Sequence, residues 1–431
     1  MRAELARGAS VVELPAGEIH LNQPIVIPKG AKNITLRGAP GSILVMDPNF
    51  KGSAAIVADG VSNLTLSAFA IAGDRKDLNS DWYLPLKEAA FADYYTDNGI
   101  VIRNSSNVTI RGVTISKIRA FPVIVNATAK SLLDSIFIES SGTLNRDGRN
   151  NTTGGILIEE GSSEFEVRNS TIHRVTGNAI WTHSYARSPR QSDGLIRNNE
   201  IYSVARDAIQ IGHATKVRVE NNKGDQIGFP VDEVDFAGEG TPVALDTAGN
   251  VDHSIYKGNE FTSVAGQCID LDGFHDGEVS DNKCVNKRTK LVNPRTWIGL
   301  HFGILFGNHD PGMTSSNVVL NNNTVQGFAY GGLFLIGDHN TIVNNQFVDV
   351  DLADCGIPPL SAKCNAMTDQ PDALRSGIYL SNDGGRPTVT RDNSIRKNLI
   401  VGLTDKSLCV TAKQGVDLKA NSIADNICYG R

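Results

Sequence analysis

GILIEE at residues 155–160, followed by FEVRNSTI at 165–172, decides the fold, because the same pair of stretches recurs along the chain. AIWTHS (179–184) is followed by LIRNNEI (195–201), and AIQIGH (208–213) by VRVENNK (217–223). VALDTA (243–248) then leads to SIYKGNEF (254–261), and CIDLDG (268–273) to GEVSDNKC (277–284). Each opening stretch alternates apolar and other residues, the period of a half-buried strand. In AIWTHS, Ile180 and Thr182 point one way while Trp181 and His183 point the other. A turn and a second strand follow, ending in Asn and an apolar residue. Repetition at about 24 to 35 residues predicts stacked units, each burying its face only on its neighbours.

Aligning the units on the first strand gives an inward column of Ile156, Ile180, Ile209, Val243, Ile269, Ile304, Leu333, Ile378 and Leu408. In the second strand an Asn stands two places before an apolar residue at 199, 222, 259, 282, 323, 345, 398 and 426. Asn tolerates the left-handed backbone of a tight turn. Its amide can also bond the amides above and below when turns stack at about 4.8 Å. These positions are therefore read as an internal asparagine ladder. With these columns the chain resembles the right-handed parallel β-helix proteins of the pectin-lyase-like superfamily over nearly its whole length. The resemblance implies an all-β solenoid and an activity on carbohydrate, and it does not select a reaction.

A chain of 431 residues would ordinarily divide into two or three domains, but a solenoid grows along one axis, so a single domain over 1–431 is expected. The net charge of −6 argues against nucleic acid or an anionic membrane surface as partner. No apolar run approaches the roughly 18 residues of a membrane span. Residues 1–14 read as an N-terminal cap and first strand; in the superfamily such a cap commonly closes the first turn. The sequence is expected to start downstream of a removed export signal, with secretion or a periplasmic location; a leaderless cytosolic protein is the alternative. Of the six cysteines, Cys355 and Cys364 share a loop and are able to pair, while Cys284 and Cys428 read as buried small hydrophobes.

The alternation lapses at 74–97, 142–153, 225–240, 286–301 and 351–376. A single helical turn is expected at LKEAAF (86–91). All of these insertions fall between a second strand and the next first strand, so they border one side of the solenoid and mark its binding face. The outward positions of the first strand then line a groove, where Glu159, His183, Asp246, Asp270 and Asp272 fall within successive turns. Trp181 and Gln210 stand between them, His213 lies one residue past its strand, and Trp297 sits in a bordering loop.

The alignment puts Asp246 and Asp272 at equivalent positions about 5 Å apart, with Asp270 diagonal to Asp246 at roughly 8 Å. Two charges at 5 Å repel by roughly 3 kcal/mol at an effective dielectric near 20. Either one carboxyl holds a proton, as a general acid must, or a cation such as calcium lies between them. The diagonal suits an inverting glycosidase, which leaves room for a water. Solvated strand ends are the bland reading of these aspartates, and hydrogen-bonded surface residues that of His183 and His213. Trp181 and Trp297 read as sugar platforms, or as rings buried under a loop.

Within the superfamily, polygalacturonase-like hydrolases carry Asn-Thr-Asp, Asp-Asp, Gly-His-Gly and Arg-Ile-Lys; ALDTAG and CIDLDG stand in comparable turns, without the last two motifs. Pectate-lyase-like enzymes pair calcium-binding carboxylates with a basic residue, for which Arg187 and Arg190 or the loop residues Arg288 and Arg295 are available. Alginate epimerases carry Asp-Pro-His, whereas GNHDPG has another order. The expected activity is hydrolysis of a polysaccharide or oligosaccharide without a cofactor, by Asp246, Asp270 and Asp272. His183 and His213 support them, and Trp181, Gln210, Glu159, Arg187, Arg190 and Trp297 contact sugar. The alternatives are a calcium-assisted lyase or epimerase on a uronate polymer, and a non-catalytic glycan-binding or tailspike-like protein. No oligomeric state is assigned.

Overall fold

Alternating apolar residues turn each repeat into short parallel strands. The computed structural model describes residues 4–5, 7–86, 89–184, 188–230, 242–287, 301–307, 312–353, 355, 372–382 and 389–431. The chain forms two units, Met1–Arg218 with Asp232–Glu239, and Val219–Val231 with Gly240–Arg431. Described helix is limited to short stretches, and no described helix is long and apolar enough to cross a membrane. Of the expected N-terminal cap, residues 1–3 and 6 lie outside the described residues, while the first strand forms at Val11–Leu14.

In the first unit the chain visits three parallel sheets in turn and then returns to the first. One such circuit is Glu166–Arg168, Thr171–Val175, Asn178–His183 and then Leu195–Arg197 beside its start. A parallel return of this kind is right-handed in nearly all proteins, giving a right-handed parallel β-helix. Like stacks on like in its core: Ile156 on Ile180 on Ile209, Val167 on Ile196 and Ile172 on Ile201. All are buried, each stabilising the stack by roughly 1.5–3 kcal/mol. The second unit repeats the scheme with Ile269, Ile304, Leu333 and Ile378 in one sheet and Val279, Leu320, Ile342 and Ile395 in another.

The asparagine ladder is present. In the second unit the side-chain amides of Asn222, Asn259, Asn282, Asn323, Asn345 and Asn398 each donate to the next ladder oxygen, ending on Asn426, at 2.8–3.0 Å. In the first unit Asn199 accepts from the Ser170 N–H at 3.0 Å and donates to the Val167 carbonyl. The left-handed residue, however, is the one before: Asn198, Asn221, Gly258, Asp281, Asn322, Asn344, Lys397 and Asp425 have φ of 53–66°. This single residue turns the chain sharply into a third strand, such as Glu200–Val204 or Glu260–Val264. The sequence, read as two strands per unit, hides that corner because one residue breaks no alternation.

Two registers also differ from the sequence alignment. Leu245, not Val243, pairs with Ile269, and Val410, not Leu408, pairs with Ile378. Both alternatives have the same parity, and a slip of two leaves an apolar residue facing inward, so the pattern alone does not choose. Cys284 and Cys428 are not free hydrophobes: Cys268 bonds Cys284 and Cys409 bonds Cys428. Cys355 is also disulfide-bonded, while Cys364 lies outside the described residues. The expected helical turn forms slightly later, at Phe91–Tyr94.

Replacing Asn282 by Leu leaves the Asn259 N–H and amide and the Tyr256 carbonyl without the Asn282 side chain. An unsatisfied buried group costs about 1–3 kcal/mol. Urea unfolding of Asn282→Leu should therefore show a loss of at least about 2 kcal/mol. Lys283→Ala, at an exposed position of the neighbouring strand with ordinary extended backbone, should stay within about 0.5 kcal/mol.

Candidate functional site

In the first unit the outward column of the third sheet runs Val57, Val101, Ile124, Leu157, Trp181 and Gln210, each paired with the next. Its first members are apolar on the face expected to be wet, and the structure covers them. Phe91, Ala92 and Tyr95 of the 74–97 insertion pack on Val101, Ile124, Leu157 and Trp181. Phe91 meets Trp181 edge-on at 5.2 Å and stacks on His183 at 4.7 Å. Trp181 is left 8% exposed, so its ring is not the open platform expected from the sequence. The run of outward apolar residues was the signal for this cover.

Glu159 holds the cover down. Fully buried beside His183 in the next turn, it accepts from the backbone N–H groups of Phe91 at 2.9 Å and Ala92 at 2.8 Å, and from the Asn126 amide at 2.9 Å. Burial pushes its carboxyl up to about 7 against those three donors. One ligating atom each from Glu159, Glu160 and His183 lies within 4.8 Å of the others, but both Glu159 oxygens already serve the insertion. Glu159 is thus a structural pin where the sequence suggested a sugar contact.

Burial, with His213 nearby, brings the His183 imidazole down to about 4. His213 is also lowered, by burial and the Arg190 charge, against a backbone bond to Ser188. Both histidines are held towards the neutral form. Gln210 accepts from the Asn178 amide at 2.8 Å, and Arg190 reaches the Ala214 carbonyl. Arg187 and Trp297 lie outside the described residues.

In the second unit the strands Leu245–Asp252 and Ile269–His275 carry the aspartates. The register correction changes their relations: Asp246 pairs with Asp270, and Asp272 stands opposite Ala248. The lateral pair is therefore Asp246 and Asp270, about 5 Å apart by strand spacing, with Asp272 diagonal to Asp246. Asp246 is buried and the other two are half-buried. The Gln267 amide donates to Asp270 Oδ2 at 3.2 Å. A Cβ on Gly307 would lie 3.5 Å from that of Asp272, so the glycine keeps a side chain off its flank. Beyond Asp270 the column continues through Leu305, Phe334 and Tyr379. There Phe302, Ala373 and Leu374 pack into an apolar wall. Sequence reasoning did not single out Gln267, a neutral amide three residues before Asp270, or Gly307, which has no side chain to mark it.

Residues 87–248 match the family model described as right handed beta helix region. Among solved structures, the Dettilon tailspike protein superposes with a TM-score of 0.57 at 12% identity, covering 97% of this chain and 64% of the tailspike. The GH136 lacto-N-biosidase from Eubacterium ramulus gives 0.51 at 12% identity, covering 95% and 63%. The family 28 exopolygalacturonase of Yersinia enterocolitica gives 0.50 at 13% identity, covering 98% and 73%. The chain thus spans less than two thirds of the length of the first two. No curated protein sequence matches it. The fold is the right-handed parallel β-helix, common to a tailspike and to glycoside hydrolases.

Because burial raises Glu159 above the ordinary 4.5, its contribution to stability is full below pH 4.5 and is lost as pH rises through about 7. His183 has the opposite sign: its contribution is present above 6.5 and lost as pH falls through about 4. The melting temperature of the wild type minus that of Glu159→Gln should accordingly decline between pH 4.5 and 7. A flat difference across that window would mean that the carboxylate is already ionised at its acid end.

Proposed function

We propose that the protein is an exported carbohydrate-active enzyme that hydrolyses glycosidic bonds of a polysaccharide or oligosaccharide. The observation that carries this reading is the pairing of Asp246 with Asp270 in adjacent turns, with Asp272 on the same outward face beside the bare flank at Gly307. The glycosidases among the structural neighbours favour it, as do the disulfides, which persist in oxidising compartments.

Two carboxylates about 5 Å apart repel by roughly 3 kcal/mol at an effective dielectric near 20, which favours one shared proton. That proton is delivered to the glycosidic oxygen as the bond from the anomeric carbon to the leaving group breaks. Asp272, roughly 8 Å across the diagonal from Asp246, takes a proton from the water that attacks the opposite face. Such a separation belongs to inversion, in which a water fits between acid and base. Gln267 holds Asp270 in place through its amide. Leu305, at the next position of the Asp270 column, offers an apolar edge for the face of a sugar ring.

Asp246→Asn, Asp270→Asn and Asp272→Asn should each lower kcat by about 10²–10⁴-fold on a responsive polysaccharide with the fold intact. Proton NMR of the first product should show the inverted anomer. Chelation with EDTA should leave the rate unchanged. Loss of activity with EDTA, restored by calcium and accompanied by unsaturated uronate absorbance, would instead establish a lyase.

A further inference from the structure

A cavity of about 340 Å³ in the first unit shares no residue with the aspartates just discussed. It opens at the base of the 74–97 insertion, where the turns after Ser42–Met46, Ala70–Ala72 and Thr114–Ser116 come together. Its size falls within the range of small-ligand sites. Asp47, Asp74, Asp77 and Asp97 supply carboxylates, Arg119 supplies donors, and Phe50 supplies a ring.

The polar groups are held in place without being used up. Arg119 lies over the Trp82 ring at 5.3 Å and meets Asp97 at 3.4 Å through one nitrogen, which leaves other N–H groups of its five free to donate. Asp47 is held by His20 at 2.7 Å and Asp74 by Lys76 at 3.1 Å. A carboxylate accepts at up to about four lone pairs, so each keeps acceptor capacity towards the cavity. Acceptors in excess, a fixed guanidinium and an aromatic ring match the hydroxyls and the apolar face of a pyranose. The carboxylates outnumber the cations Lys76 and Arg119, an imbalance that repels uronates and phosphates and attracts neutral or amino-bearing sugars.

The geometry points to a second carbohydrate-binding site in this cavity, accepting one or two neutral or amino sugar units of a glycan. It goes beyond the hydrolase reading and does not require the aspartates to be catalytic. Its function is to hold a glycan away from the groups that act on it.

Titration calorimetry on the full chain tests this, in an Asp270→Asn background so that turnover does not consume the probe. Chitotriose, its fully deacetylated counterpart and trigalacturonate are compared. Saturable binding of either of the first two is expected, weakened at least tenfold by Phe50→Ala and by Arg119→Met. The exposed substitution Asp77→Asn serves as a second probe: it should weaken the deacetylated trimer selectively, and it leaves the insertion intact should Arg119→Met unfold it. Melting curves identify folded variants. Asp246→Asn should leave this binding unchanged, which separates it from the proposed catalytic face. The proposal is overturned if neither neutral nor amino trimer binds, if the cavity variants bind normally, or if trigalacturonate binds more tightly than both.

Discussion

Strand spacing governs this molecule: equivalent residues in successive turns sit about 4.8 Å apart along a parallel sheet. At that distance every column must be compatible with itself. Isoleucine on isoleucine gains burial, and asparagine on asparagine gains a hydrogen bond, as in the run from Asn222 to Asn426. Aspartate on aspartate gains only repulsion, and Asp246 and Asp270 are nevertheless paired. A spacing that forms the core thus produces strain when it is filled with like charges, and catalysis by carboxylates uses such strain to retain a proton.

The fold was legible because columns are periodic. The asparagines recur at one position per turn, and their bonds follow the order of the turns. What the sequence concealed were features to which a period of two is blind. Val243 and Leu245 are both apolar and of the same parity, so the register that pairs Asp246 with Asp270 could not be read from alternation. The corner at Asn198 or Lys397 costs a single left-handed residue and leaves no gap in the pattern. The cover over Trp181 was signalled by Val57, Val101, Ile124 and Leu157, apolar where solvent was expected. Glu159 looked like a groove carboxylate because its partners, Phe91 and Ala92, are distant in sequence.

Insertions play different parts in the two units. In the first, the segment around Phe91–Tyr94 lies over the third sheet, secured by a carboxylate and by rings that leave little exposed surface. In the second, residues 373–374 and Phe302 extend an apolar wall beyond Asp270. Loops anchored on a rigid lattice of strands can change without disturbing the lattice, since each turn depends only on its neighbours. Substrate choice can therefore diverge among proteins of this fold while the cores stay alike.

The bond between Cys268 and Cys284 has a mechanical consequence. A coil of this kind comes apart like a spring unwound from one end, each freed turn exposing the next. Cys268 directly precedes the strand that bears Asp270 and Asp272, and Cys284 lies in the Lys283–Val285 strand that closes the same turn. The cystine makes that turn a closed ring, which thermal peeling arriving from either side cannot simply open. Fraying can consume neighbouring coils and still leave this ring intact, so the two aspartates remain on one loop of fixed circumference while the structure around them breathes.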